Sequence, residues 1–84
     1  MNSTGKYLDQ FGQPVVAGDE VVLSETPAVL LNGLPEEDQI AIKAQVGKKL
    51  KLNEFDAFGN AELEFIDQAG VIHFIWVEPK YLVK

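Results

Sequence analysis

The sequence predicts a mainly β fold: a small antiparallel barrel of about five strands with one α-helix inserted over residues 35–46. Three observations predict it. Residues 61–84 run from strand pattern to short turn to a second apolar strand and a Pro-containing tail, with almost no spare residues. Near the start, Gly18-Asp19 followed by Glu20-Val21-Val22-Leu23 supplies a turn and a strand. Between the two, Pro35 with three acidic residues behind it marks a helix start.

Taken in order, residues 1–13 are polar, hold Gly5 and Gly12 and keep no sustained period, so they read as a loose arm. Tyr7, Leu8 and Phe11 are the side chains able to pin part of it to the barrel. Residues 14–84 form the single domain. Val15-Val16 and then Glu20 to Leu23 read as a first strand, with Gly18-Asp19 as a turn or bulge between them. Residues 24–34 are irregular yet apolar, with Pro27-Ala28-Val29-Leu30-Leu31 leading to Asn32-Gly33.

Pro35 fits the first helical position, where its missing N–H costs nothing. Glu36, Glu37 and Asp38 then complement the positive end of the helix dipole, and Gly47 with Lys48-Lys49 closes the helix. Ile40, Ala44 and Gly47 fall on one stripe, with Val46 and Ile42 beside it, which predicts the buried face.

Hairpin registers follow from the turns. Asp67-Gln68-Ala69-Gly70 suits a four-residue loop with Gly70 in the left-handed region. That loop sets Ile66 opposite Val71, Phe65 opposite Ile72, Glu64 opposite His73, Leu63 opposite Phe74 and Ala61 opposite Trp76. The preceding strand registers as Leu52 opposite Leu63 and Leu50 opposite Phe65, which puts Lys51 by Glu64 and Asn53 by Glu62. A loop of residues 55–60 is left over. Val71 to Val77 is apolar on both faces apart from His73, so it is expected to be covered on both. Pro79 breaks that ladder, and Leu82-Val83 closes the barrel beside the first strand.

Composition narrows the function classes. The chain has 84 residues, 46% of them apolar, no Cys, and a net charge of −6 with lysine as its basic residue type and no arginine. Absence of Cys excludes a disulfide framework, a thiolate zinc site and a thiol nucleophile. An acidic chain without arginine is poorly suited to phosphate backbones or anionic membrane surfaces, so neither nucleic acid nor membrane is expected as a partner. No secretory signal or membrane-length apolar run is evident, and a cytoplasmic location is expected.

The Gly18-Asp19-x-Val21-x-Leu23 strand, the long excursion, the three-stranded meander, the Pro-containing turn and the short last strand together resemble the SH3-like barrel over residues 14–84. Pro79-Lys80-Tyr81-Leu82-Val83 looks like the Pro-x-x-Tyr-Val tail of eukaryotic SH3 domains, one residue short. The tryptophan pair after the n-Src loop and the Ala-Leu-Tyr-Asp-Tyr start are missing, which argues against Pro-rich ligands. Within the wider class the chain is similar to small bacterial SH3-like proteins of unassigned function, in which a Leu-Pro-x-x-Asp helix replaces part of the first loop. The resemblance implies a fold and no activity.

Candidate chemistry is sparse. His73 is read as one member of a cross-strand pair with Glu64 rather than as a base or metal ligand. Asp56, Asn60 and Glu62 lack the spacing of a calcium loop, and Asp and Asn around Gly59 are turn residues. No activated nucleophile or phosphate-binding loop is present, so no catalytic role and no cofactor are expected.

Large side chains on the loops carry more weight. Phe55 and Phe58 on the n-Src-like loop, Leu30 and Leu31 on the excursion, and Trp76, Pro79 and Tyr81 between them are the expected partner-binding residues. The leading expectation is a non-catalytic module that docks a protein partner or a second copy of itself. Two alternatives are a small acidic inhibitor or immunity-type protein that neutralises a basic enzyme, and an accessory or regulatory subunit of a larger enzyme. A pocket between the helix and residues 71–77 would favour the last.

Overall fold

Alternation of buried and exposed residues organises the chain into strands around one apolar layer. A computed structural model describes residues 7–84. Along these run β1 (Glu20–Leu23), α1 (Ala28–Leu31), α2 (Glu36–Lys43), β2 (Lys49–Phe55), β3 (Ala61–Ile66) and β4 (Ile72–Val77). A 3-10 turn (Pro79–Tyr81) leads into β5 (Leu82–Val83). The five strands form one antiparallel sheet in the order β4-β3-β2-β1-β5. The ladder is open: β4 and β5 are its edges, and no pairing joins them among the described residues. β5 lies beside β1, with Val83 opposite Val22 and Leu82 opposite Leu23, as expected for the last strand.

The core gathers Val21, Leu23, Leu50, Leu52, Leu63 and Leu82 from the inner face of the sheet, with Ile42 from α2 and Val15 from the entry segment. Each strand contributes every second residue, which is the physical content of a period of two. The expected arm over residues 1–13 divides at Tyr7. Residues 1–6 lie outside the described part, whereas residues 7–15 make a turn tied to the sheet. Val15 N–H donates to the Tyr7 carbonyl at 3.0 Å and Asp9 N–H to the Gln13 carbonyl at 2.8 Å.

The helix over 35–46 is shorter and turned differently from expectation. α2 ends at Lys43, and it buries Ile42 and part of Ala41, followed by Gln45, while Ile40, Ala44 and Val46 face solvent. Its exit explains the change. Gly47, at φ 87°, donates to the Leu23 carbonyl at 3.0 Å and so pins the chain to the end of β1. The periodic stripe through Gly47 therefore never forms.

β2 and β3 pair as expected at Lys51–Glu64 and Leu52–Leu63. Beyond them a bulge at Asn53 shifts the partners, so Glu54 rather than Asn53 meets Glu62. Asn53 turns its side-chain amide to the Glu64 carboxylate at 2.9 Å.

The β3–β4 hairpin differs by one residue. Asp67 N–H donates to the Val71 carbonyl at 2.9 Å, and Asp67 Oδ1 accepts the N–H groups of Ala69 and Val71 at 2.8 and 2.9 Å. Asp67 thus joins the ladder opposite Val71 and the loop shortens by one residue to Gln68-Ala69-Gly70, with Gly70 in the left-handed region as expected. Leu63 meets Ile75 instead of Phe74, Phe65 meets His73 instead of Ile72, and Glu64 meets Phe74 instead of His73. Ala61 meets Val77 instead of Trp76, and Ile66 meets Ile72 instead of Val71. A slip of one exchanges the faces of a strand. Ile75 and Val77 are buried, and Ile72, Phe74 and Trp76 point outward.

Candidate functional site

The outward row on β4 is the most unusual surface of the chain. Strand Val71 to Val77 was expected to be covered on both faces, yet Ile72, Phe74 and Trp76 stay 52, 55 and 39% exposed. β4 is also an edge strand. Because Asp67 and Val71 form a hydrogen-bonded pair, Val71, His73, Ile75 and Val77 turn their backbone groups toward β3. Ile72, Phe74 and Trp76 therefore direct their N–H and C=O groups away from the sheet. Among the described residues, no turn, loop or cap hydrogen bond reaches them.

α1 faces this edge. The segment read from sequence as irregular turns once, with the Leu30 N–H donating to the Pro27 carbonyl at 3.0 Å and the Asn32 N–H to the Ala28 carbonyl at 3.1 Å. Leu30 and Leu31 pack against the core from one side of that turn, and Val29 stays 78% exposed. Between α1 and β4 runs an open groove of about 450 Å³, lined by Pro27, Val29, Leu30, Phe74, Trp76 and Tyr81 among others. Its lining includes Glu78 and no lysine, arginine or histidine. A second groove, about 570 Å³, lies between α2 and the Ile66–Ala69 turn. The groove against residues 71–77 is thus walled by α1 and not by the longer helix, whose pocket there would have favoured the enzyme-subunit alternative.

Of the expected partner-binding residues, Leu30, Trp76 and Tyr81 come together in the α1–β4 groove. Phe55 does not join them: it stacks on Tyr7 with ring centroids 4.2 Å apart and packs on the core. Leu31 also packs on the core, Phe58 stands 90% exposed at its loop tip, and Pro79 opens the 3-10 turn without lining the groove. Phe74 and Glu78 were missed. The signal for Phe74 was Asp67, whose side chain favours a loop that carries its own N–H acceptor.

Carboxylates on the turns act as acceptors. Asp56 Oδ1 takes the N–H groups of Phe58 and Asn60 at 2.8 and 2.9 Å, and the Asn60 N–H bond is the main reason its pKa lies below the usual carboxylate value. The expected His73–Glu64 pair is replaced, because the register moves His73 to the inner face. There it stacks on Phe65 at 4.8 Å and places Nε2 2.7 Å from Asp67 Oδ2. That contact, followed by the Val71 N–H, holds the Asp67 pKa low. Asp9 is buried, which opposes ionisation, but the N–H groups of Lys84, Gln13 and Phe11 and the Lys84 charge outweigh burial and lower its pKa. Among the described residues, no three His, Asp or Glu side chains converge as a metal site.

The outer face beside β4 is acidic. Glu62 lies opposite Trp76 and Glu64 opposite Phe74. Glu64 is bonded to Asn53 and faces Lys51, whereas Glu54 and Glu62 face each other across β2 and β3. No family model matches this chain, and neither a curated protein nor a solved structure matches it.

Proposed function

We propose that the chain is a non-catalytic protein-interaction module whose docking surface is the α1–β4 groove. One observation carries the reading: a six-residue edge strand keeps an apolar row in solvent next to a groove lined by Leu30, Trp76 and Tyr81. Natural edge strands are usually short, charged, bulged or covered, because a bare one recruits other chains. Leaving Ile72, Phe74 and Trp76 bare has a cost in solubility that a binding role accounts for. The strand order, the long excursion between β1 and β2 and the 3-10 turn before β5 support the SH3-like resemblance, in which loops on this side flank the ligand surface. A second reading, the acidic inhibitor of a basic enzyme, is favoured by the Glu54–Glu62 pair beside the groove.

The test compares affinity capture by the wild-type chain and by Trp76→Glu in the native cell extract. Trp76 is 39% exposed, so the variant folds as judged by circular dichroism and loses the captured protein. Identical capture by both chains would remove the groove from the function. Capture that collapses as salt rises selects the inhibitor reading, since screening weakens exposed charge pairs and leaves apolar contact largely intact.

A further inference from the structure

Resting on that reading, we infer that the partner enters as an extended, cationic segment that adds to the free edge of β4 as a further strand. Three features specify this occupant. First, the outward N–H and C=O groups of Ile72, Phe74 and Trp76 repeat along a strand with no proline, bulge or charged residue within Ile72–Val77. An extended backbone is the chemistry that satisfies such a row. Second, the groove offers apolar surface on both sides of the strand. Ile75 and Val77 line it from the inner face, Phe74 and Trp76 from the outer. A strand laid there directs alternate side chains to the two faces, so both sets are apolar near the edge.

Third, charge selects the partner. Glu54 and Glu62 sit directly opposite each other on the outer face, an arrangement that is destabilising between like charges. None of the ion pairs among the described residues involves either of them. Glu62 is the cross-strand neighbour of Trp76, whose ring face is a second attraction for a cation. A lysine or arginine on the outer face of the added strand would lie beside the indole and point toward Glu62 one strand further, with the Glu54 charge adding to the local negative field. A second copy of this chain brings the same acidic row and a net charge of −6, which opposes self-pairing.

The test uses isotope-labelled protein and three acetylated seven-residue peptides: alternating Val and Lys, alternating Val and Glu, and the Val/Lys peptide N-methylated at every residue so that neither of its edges can donate. The Val/Lys peptide is expected to bind saturably, to move the amide signals of Ile72, Phe74 and Trp76, and to slow their hydrogen exchange. Trp76, the only tryptophan, reports the same event by fluorescence. The N-methylated peptide, which cannot complete the ladder, and the Val/Glu peptide should not bind. Glu54→Gln with Glu62→Gln should weaken Val/Lys binding by about fivefold, the scale of exposed ion pairs. No saturable binding, equal binding of the Glu peptide, retained binding after N-methylation, or a dimer joined through β4 would each overturn the inference. If Trp76→Glu abolishes partner capture while the Val/Lys peptide fails, the interaction reading stands and only this occupant is wrong.

Discussion

The two edges of the sheet are treated in opposite ways. At the β5 edge the strand is two residues long, and the entry segment closes over it. Gln10 N–H donates to the Leu82 carbonyl at 2.8 Å, and Asp9 Oδ2 accepts the Lys84 N–H at 2.8 Å. At the β4 edge Ile72, Phe74 and Trp76 stand with outward backbone groups and half-exposed side chains. One chain therefore shows how an edge is protected and where protection is withheld. The contrast teaches that one sheet can carry an edge closed by its own entry segment and an edge that no described segment pairs.

The strongest way to break the comparison is to weaken the closed edge from within. Leu82 is fully buried, and Leu82→Ala should cost about 3 kcal/mol, with the midpoint of urea unfolding falling accordingly. A loss under about 1 kcal/mol would mean that β5 is not part of the cooperative core. Uncapping comes next. Asp9→Ala removes the acceptor for the N–H groups of Phe11, Gln13 and Lys84 and should cost about 2 kcal/mol.

Acid should imitate that variant. The folded pKa of Asp9 lies below its ordinary value of 3.8, so its contribution is complete above that value and is lost as pH falls through the lower, folded one. Asp67 and Asp56 are shifted in the same direction and add to the loss. Urea midpoints measured from pH 6 down to pH 2 should fall below roughly pH 4, with a shallower fall in Asp9→Asn. An unchanged profile in that variant would assign acid sensitivity to other carboxylates.

The open edge should give the smallest change in stability. Phe74→Thr keeps strand propensity and removes a ring that is 55% exposed, so unfolding should shift by less than about 1 kcal/mol. Its partner capture should fall as it does for Trp76→Glu. Destabilisation as large as that of Leu82→Ala would instead make β4's outer row part of the core.

Much of the molecule was legible from local pattern. Apolar alternation located β2 and β3, short apolar runs located β1 and β4, Pro35 and the acidic first turn located α2, and Gly70 located a left-handed turn. Leu52–Leu63 was legible because two alternating strands with one buried face admit few registers. The candidate site was only half legible. Leu30, Trp76 and Tyr81 stand out in the sequence as large side chains near loops, but so does Phe55, which packs inward against Tyr7. A large apolar side chain fits a core and a docking surface equally well, and its identity does not say which it serves.

By itself, then, the sequence determined the element types and their order, because period, proline, glycine and charge act over a few neighbouring residues. Tertiary structure alone decided which side of β4 faces water. A strand apolar on both sides leaves both settings open to pattern, and the one found is the register in which Asp67 pairs with Val71 and accepts the N–H groups of Ala69 and Val71. Only in three dimensions does α1 stand beside that strand, and the groove between them exists in neither segment alone.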